Sequence, residues 1–237
     1  MTSENLLISN DPNLRKQFIN YLANCVYEKR INQFIKVLDH RTRYITVVLE
    51  DIYQSQNASA VLRTCDCLGI QDIHIIENRN NFTVNPDVVL GASKWLNLYR
   101  YKGDDSSKNA IKSLKSDGYR IVATTPHAND ISLEDYDLSK GKFALVFGTE
   151  LTGLSPSVMS EADEFVRIPM FGFTESFNIS VSAAIMLYAL TSRLRNSQID
   201  YFLSGDEKEK VLLAWLKTTT KSWRLLEKRF LQEHNLI

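Results

Sequence analysis

Residues 143–190 read FALVFGTELTGLSPSVMSEADEFVRIPMFGFTESFNISVSAAIMLYAL, and this stretch decides the fold. It contains two apolar runs, 143–147 and 166–170, which are typical of buried strands. Each run breaks into a loop of small and polar residues at a glycine, Gly148 or Gly172. A strand that ends in such a loop is the unit from which ligand sites of α/β proteins are built.

A long apolar helix is predicted after these loops, ending near Arg195. Ser176 and Asn178 stand at its start, and both residue types are favoured at helix N-caps. Ligands of an open α/β sheet bind outside the carboxyl ends of the strands. Because the two loops carry Glu150, Ser176 and Asn178, we expect the chemistry of the protein at this edge of the sheet.

Length and composition favour a folded protein without a membrane span. The chain has 237 residues, of which 44% are hydrophobic, enough for one α/β domain with short attachments. No run reaches the roughly 20 apolar residues that span a bilayer, and the first residues do not resemble a signal peptide. Three cysteines and four scattered histidines show no metal-ligand spacing. The sequence predicts a cytoplasmic protein without a metal site.

Charge is distributed unevenly along the chain although the net charge is zero. Residues 1–43 carry a net +3 and residues 206–237 a net +2, so the middle is acidic. Two interpretations stay open: solvated faces of surface helices, or ends that grip nucleic acid.

Upstream of the central stretch, the pattern alternates between helices and strands. Residues 11–39 predict two amphipathic helices, and 57–69 a helix capped by Asn57 and stopped by Gly69. In that helix Arg63 borders the face predicted to be buried, where a salt bridge with Asp66 is the ordinary interpretation.

The remaining elements predict a mostly parallel sheet covered by helices, which is the α/β class. Further strands are expected at 44–49, 72–77, 96–101 and 120–124, and further helices at 106–116 and within 207–233. There is no G-x-G-x-x-G turn, no Walker phosphate loop and no G-x-S-x-G elbow. These absences argue against a dinucleotide enzyme, a nucleoside triphosphatase and a serine hydrolase.

Three segments in order resemble the motifs of the SpoU branch of the SPOUT RNA methyltransferases. They are NASAVLRT at 57–64, LVFGTELTGLS at 145–155 and IPMFGFTESFNISVSAA at 168–184, and GASKW at 91–95 is similar as well. The resemblance covers roughly residues 44–195, and the placement of the helical flanks is similar to the TrmH type, which methylates a guanosine ribose in the tRNA D-loop. Phe177 and Ile179 depart from the usual Leu and Val of the family.

The resemblance implies a SPOUT (α/β knot) fold with a C-terminal trefoil knot in which S-adenosylmethionine binds. It also implies a homodimer whose active site uses residues of both subunits. The expected organisation is an N-terminal helical extension at 1–43, a methyltransferase domain at 44–200 and a C-terminal helical extension at 201–237.

Site residues are carried over by the resemblance onto the matching positions. Arg63 matches the essential arginine of the family, and because a guanidinium stays protonated we favour a phosphate clamp that stabilises the developing alkoxide. The other expected catalytic residues are Asn57, Glu150, Ser176 and Asn178. The expected cofactor contacts are Thr125, Gly148, Ile168 and Phe177. Core packing and helix capping are the ordinary alternatives for several of these residues.

The basic flanks supply the candidates for RNA contact, namely Arg15, Lys16, Lys29, Arg30, Arg193 and Arg195. The resulting hypothesis is an S-adenosylmethionine-dependent ribose 2′-O-methyltransferase of tRNA, acting on a D-loop guanosine. The same chemistry on ribosomal RNA or at another tRNA position, and a non-catalytic RNA-binding protein of the same fold, remain alternatives.

Overall fold

The computed structural model describes residue 8 and residues 10–126, 130–150 and 152–236. It divides into two compact units. One comprises Met1–Arg41 and Phe202–Ile237, and the other comprises Thr42–Tyr201. The terminal segments therefore belong to a single unit.

The larger unit is built on one sheet of parallel strands. Its described strands are β1 Ile45–Glu50, β2 Asp72–Glu77, β3 Asn97–Lys102, β4 Arg120–Thr124, β5 Ile131–Ser132, β6 Phe143–Phe147 and β7 Glu164–Arg167. They lie in the order β3-β2-β1-β6-β4-β7-β5, and every pairing is parallel.

Helices of the larger unit connect these strands. They are α3 Ser55–Cys67, α4 Pro86–Val89, α5 Ser106–Ser116, α6 Pro156–Glu161 and α7 Ile179–Arg195, with 3₁₀ turns at Ala92–Lys94, Leu133–Asp135 and Leu138–Lys140.

The sheet is covered by helices on both faces, which explains its apolar strands. Every residue of β1, β2 and β6 is buried. Alternate residues of a strand point to opposite faces, so Val47 packs in the core with α3 and α7 whereas Val48 packs in the core with α5 and α6. Strands buried on both faces read as continuous hydrophobic runs in the sequence, which is why they were predictable.

Strand positions are largely confirmed, with β1 and β3 one residue later than expected, one larger shift and one addition. The strand expected at 166–170 is β7, which begins at Glu164 and ends at Arg167. It ends there because its pairing with β4 closes at Val166, and Pro169 has no N–H to extend a ladder. The two-residue strand β5 was not predicted, since so short an edge strand leaves no periodic pattern.

Helix α3 corrects the prediction at its start. It begins at Ser55 after Gln54, so Asn57 lies buried within the first turn and is not the N-cap. Arg63 is exposed rather than bordering a buried face, and it has no salt bridge with Asp66 or any other part of the described chain. The helix stop is as expected, because Gly69 adopts a φ of 78°, which favours glycine.

The smaller unit is helical. Its helices are α1 Pro12–Ala23, α2 Glu28–Leu38, α8 Gly205–Thr219 and α9 Trp223–Glu233. Helix α1 packs on α8 and α9, with Phe18 against Phe230, and α2 packs on α8, with Phe34 against Trp215. Ser204 caps α8 in a reciprocal hydrogen-bonding arrangement with Glu207. No helix of the described residues is long and apolar enough to cross a membrane.

Candidate active site

The candidate site lies at the carboxyl edge of the sheet, where the chain changes direction. From β1 the chain runs to β2 and β3 on one side, whereas β6, β4, β7 and β5 lie on the other. The loops after β1 and β6 consequently diverge at a switch point, which is where open α/β sheets bind ligands.

Three side chains from distant parts of the sequence meet there in an amide–carboxylate triad formed by Asn57, Glu150 and Asn178. The Oε1 of Glu150 accepts hydrogen bonds of 2.7 Å from the Nδ2 atoms of both Asn57 and Asn178. The Nδ2 of Asn178 also lies 3.3 Å from the Oδ1 of Asn57. Of the three polar residues expected to act together, Glu150 and Asn178 are joined directly, and Asn57 takes the place expected for Ser176.

Local structure fixes both amides of the triad. Asn178 is the N-cap of α7, and its Oδ1 accepts from the N and Oγ of Ser180, at 2.9 Å and 2.6 Å. Its Oδ1 thus serves the helix while its Nδ2 serves Glu150. The Nδ2 of Asn57 also donates to the Oε1 of Gln54, at 3.1 Å, which sequence reasoning did not single out.

Glycine at position 148 is required by the loop that presents Glu150. A Cβ atom at Gly148 would lie 2.3 Å from the backbone oxygen of Gly153, far inside contact distance. Gly153 approaches so closely because it exchanges two backbone hydrogen bonds with Thr149, of 3.0 Å and 3.1 Å. The glycine thus allows the loop to fold back.

Two predicted catalytic residues do not join the triad. Ser176 is exposed and forms no hydrogen bond within the described chain. Arg63 lies six residues after Asn57 on α3, so it is rotated by about 240° and displaced by about 9 Å along the helix. Its guanidinium therefore faces solvent on another side of α3.

The predicted cofactor residues follow three adjacent strands. Thr125 comes after β4, Gly148 after β6, and Ile168 after β7. The backbone N–H of Thr125 donates to the carbonyl of Val166, at 3.1 Å, which ties two of these loops together. The hydroxyl of Thr125 is hydrogen-bonded to Asp130.

Apolar side chains accompany these backbone groups. Ile168 is half-buried against the core, and Phe177 is exposed. Phe171 and Phe173 of the same loop are also exposed.

The guanidinium groups of two predicted RNA contacts are engaged within the fold. Arg15 is 1% exposed and forms ion pairs with Asp206 and Glu209 within the smaller unit. Arg193 donates to the carbonyls of Leu133 and Tyr136, at 2.8 Å and 2.5 Å. These contacts make both arginines weaker candidates for phosphate contact than the exposed basic residues.

The other four candidates remain accessible. Lys16, Lys29 and Arg30 are exposed on α1 and α2. Arg195 is exposed too, although its Nη2 donates to the carbonyl of Leu68, at 2.6 Å.

A large cavity adjoins the triad, and sequence reasoning missed most of its lining. It has a volume of about 980 Å³, and Asn57, Glu150 and Ile179 are among the residues that line it. Glu50 also lines it and is buried, and its carboxylate accepts hydrogen bonds of 2.8 Å and 2.7 Å from the N and Oγ of Ser155. The available signal was the acidic pair Glu50-Asp51 directly after an apolar strand. The described residues contain no group of three or more His, Cys, Asp or Glu side chains able to hold a metal ion.

Comparisons with known proteins agree with this architecture. Over 209 residues the chain is 49% identical to the tRNA (guanosine(18)-2′-O)-methyltransferase of Borreliella burgdorferi, covering 88% of this chain and 94% of the relative. The A. aeolicus TrmH/SpoU tRNA modifying enzyme superposes with a TM-score of 0.70 at 28% identity, covering 80% of this chain and 95% of that one.

A more distant structure shares the fold. The SpoU methyltransferase AviRb from Streptomyces viridochromogenes, in complex with the cofactor AdoMet, has a TM-score of 0.58 at 21% identity, covering 69% of this chain and 65% of that one. The model of the SpoU rRNA Methylase family matches residues 44–188, more than half of the chain. This chain belongs to the SpoU methylase family.

Proposed function

We propose that the protein is an S-adenosylmethionine-dependent tRNA ribose 2′-O-methyltransferase that acts on a D-loop guanosine. The observation that carries the proposal is the amide–carboxylate triad, which joins three family motifs at the ligand-binding edge of the sheet. The substrate follows the name of the Borreliella burgdorferi relative, which is similar over nearly its whole length.

The residues after β4, β6 and β7 suit S-adenosylmethionine. Backbone groups near Thr125 and Gly148 offer hydrogen bonds for an adenine, and Ile168 and Phe177 offer apolar walls. Asp130 adds a carboxylate beside the Thr125 hydroxyl. When bound, the cofactor supplies a methyl group on a positively charged sulfur.

The triad positions the ribose and offers the one Brønsted base among its members. A ribose hydroxyl is a weak nucleophile and must lose its proton as the methyl group is transferred. The side-chain amides of Asn57 and Asn178 do not take up a proton near neutral pH, and the Arg63 guanidinium stays protonated. The Glu150 carboxylate is therefore the group that takes the proton. Asn57 and Asn178 hold it in place through its Oε1.

Arg63 acts as a phosphate clamp, and a second copy of the chain brings it to the site. Its exposed guanidinium is free to make a bidentate contact with RNA phosphate and to stabilise the developing alkoxide. Because α3 turns it away from the triad of its own chain, the site needs the Arg63 face of another subunit.

An exposed apolar face of α7 suits a dimer interface. Val181 and Tyr188 are seven residues apart on the same helical face and are 43% and 67% exposed. In the proposed C-terminal trefoil knot, residues after β6 pass through a loop. The insertion of β6 between β1 and β4, and of β7 between β4 and β5, supports such a path.

Segments 1–43 and 201–237 are proposed as helical extensions that precede and follow, in sequence, a methyltransferase domain at 44–200. Lys16, Lys29, Arg30 and Arg195 are the exposed basic residues that would contact tRNA phosphates. We propose a cytoplasmic location, which the proposed tRNA substrate supports.

Transfer of labelled methyl groups to total tRNA tests the function, with nucleoside mapping of the product. The RNA is taken from cells lacking this protein, so that the target is unmodified. We expect 2′-O-methylguanosine in the D-loop. Label at another tRNA position or in ribosomal RNA would show that the enzyme methylates a different nucleotide. Cofactor binding without label on any RNA would indicate a non-catalytic RNA-binding protein.

A further inference from the structure

We propose that the 980 Å³ cavity beside the triad receives the base of the target nucleotide, and that Asp51 reads it as guanine. This inference rests on the proposed function. It adds a base-recognition site on the side of β6 opposite the predicted cofactor residues.

The position of the cavity follows from the strand order. Its lining comes from the loops after β1, β2, β3 and β6, whereas the cofactor residues follow β6, β4 and β7. The loop after β6, which carries Glu150, is shared by both groups. A ribose held at the triad would therefore have the methyl donor on one side and its own base on the other.

Size and surface suit a nucleobase. Ligand pockets span about 300–1,000 Å³, so this cavity has room for a nucleoside that has left its stack. Tyr53 lines the cavity and is 81% exposed, which leaves its ring available to stack on a base. Arg79 and Lys108, both exposed, also line it and place positive charge where flanking phosphates would pass.

Asp51 is the carboxylate of the lining that is both fixed and available. Its Oδ1 accepts from the backbone N–H groups of Asn78, Arg79 and Asn80, at 2.8 Å, 2.9 Å and 3.3 Å. Its Oδ2 has no hydrogen bond with the described residues. The backbone of Asp51 adopts a φ of 53°, a left-handed conformation that aspartate tolerates better than most residues other than glycine.

The other carboxylates of the lining are committed or exposed. Glu50 is occupied by Ser107 and Ser155, whereas Glu150 is exposed, accepts the two amides of the triad at its Oε1 and is the proposed acceptor of the ribose proton. Asp105 pairs with Lys108, and Asp104 is exposed. Asp51 alone among these five is half-buried with a free oxygen held in a fixed orientation.

A fixed carboxylate selects guanine by its hydrogen-bond pattern. Guanine presents two neighbouring donors on its Watson–Crick edge, N1–H and the 2-amino group, and a carboxylate only accepts. Adenine presents an acceptor at N1, which would face the charged oxygen. A base that leaves the carboxylate or its own polar edge without a hydrogen-bond partner in a desolvated site binds much more weakly. The carboxylate therefore discriminates strongly between bases.

The test compares guanosine and inosine at the target position of otherwise identical tRNA transcripts, because inosine lacks only the 2-amino group. Wild-type kcat/KM should fall about tenfold to a hundredfold with inosine, the range for one hydrogen bond to a charged group. The Asp51→Asn variant keeps an oxygen for the three backbone N–H groups but presents an amide donor to the cavity. We expect it to lose activity on guanosine and no longer to distinguish guanosine from inosine.

The matched control is Asp117→Asn, which removes an exposed carboxylate at the far end of α5 and should keep wild-type discrimination. Equal use of guanosine and inosine by the wild-type protein would overturn the assignment, even if Asp51→Asn failed to fold. Unchanged discrimination in folded Asp51→Asn, verified by its S-adenosylmethionine affinity, would overturn it as well. Absence of methylation on every transcript would instead contradict the proposed function. Because guanosine is replaced by inosine within the tRNA, the assay tests whether the base in the cavity belongs to the tRNA.

Discussion

Single residues at the site each serve the fold and the proposed chemistry at once. Asn178 caps α7 through its Oδ1 and holds Glu150 through its Nδ2. Gly148 lets the loop close on Gly153 and in doing so presents Glu150. A structural role and a catalytic role are therefore compatible at Asn178 and Gly148. Only variants that remove one role and keep the other can distinguish them.

At the scale of the residue, Arg63 offers the cleanest test of catalysis. Because its guanidinium is exposed and makes no salt bridge with the described chain, Arg63→Ala should leave unfolding midpoint and cofactor affinity unchanged. Methylation should fall by at least about a hundredfold, as when a group that stabilises a developing oxyanion is removed. Single-turnover rates on unmodified tRNA measure the effect.

Lys112→Ala, on the exposed face of α5, removes one positive charge elsewhere in the same unit and serves as the control. If Arg63→Ala and Lys112→Ala retained the same rate, Arg63 would have no part in the reaction.

At the scale of the element, β2 carries a buried histidine that couples the fold to pH. His74 is 5% exposed, stacks on Tyr99, and its Nδ1 lies 3.0 Å from the Tyr101 hydroxyl. Burial lowers the pKa of His74 from 6.5 to about 4. The neutral ring is compatible with the sheet, whereas the charged ring must be desolvated.

The pKa of His74 predicts a loss of stability in acid. The folded state takes up the proton less readily than the unfolded chain, so the stabilising contribution is full above about pH 6.5 and is lost as the pH falls toward 4. Between pH 7 and pH 4.5 the difference in unfolding free energy between wild type and His74→Gln should shift by about 2.5 kcal/mol.

Urea unfolding at the two pH values measures the shift, with His40→Gln, an exposed histidine, as the control. A stability difference that stays constant across this range would show that the buried ring does not set the pH dependence.

At the scale of the whole molecule, we propose that a second copy of the chain completes the site. Asn57 and Glu150 of the triad line the cavity, whereas Arg63 of the same α3 faces solvent elsewhere. The exposed apolar face of α7, with Val181 and Tyr188, offers a surface on which a second copy could bring the two together. The oligomer would then be part of the active site and not only of the fold.

Mixing two inactive variants tests this arrangement. If each site takes Glu150 from one subunit and Arg63 from the other, exchange of Arg63→Ala with Glu150→Gln should restore activity. Random mixing makes half of the dimers mixed, each with one intact site of two, so about a quarter of wild-type activity should return.

Mixtures of each variant with itself, treated identically, should stay inactive. Failure of the mixed sample to regain activity, with subunit exchange verified by distinct tags, would place both residues in one subunit. Sedimentation of the wild-type protein as a monomer at micromolar concentration would contradict the dimer itself.

The sequence by itself determined most of the strands and predicted the edge of the sheet at which the candidate site lies. Apolar runs such as 72–77, 120–124 and 143–147 give strands with matching bounds, because strands buried on both faces carry their own pattern. Asn57, Glu150 and Asn178 could be singled out because they stand in the three segments that resemble the motifs of the SpoU family.

Only the tertiary structure decided which side chains meet. Arg15 and Arg193 look like any other basic residues of amphipathic helices until packing supplies carboxylates or carbonyls as partners. Arg63 and Asn57 share one helix, yet Asn57 is buried and Arg63 is exposed. The packing of α3 on the sheet decides this, because the two residues lie on different sides of the helix. Asp51 became visible because Asn78, Arg79 and Asn80, distant in sequence, fix its carboxylate beside the cavity. Burial and partnership depend on contacts between distant segments, and local patterns do not encode them.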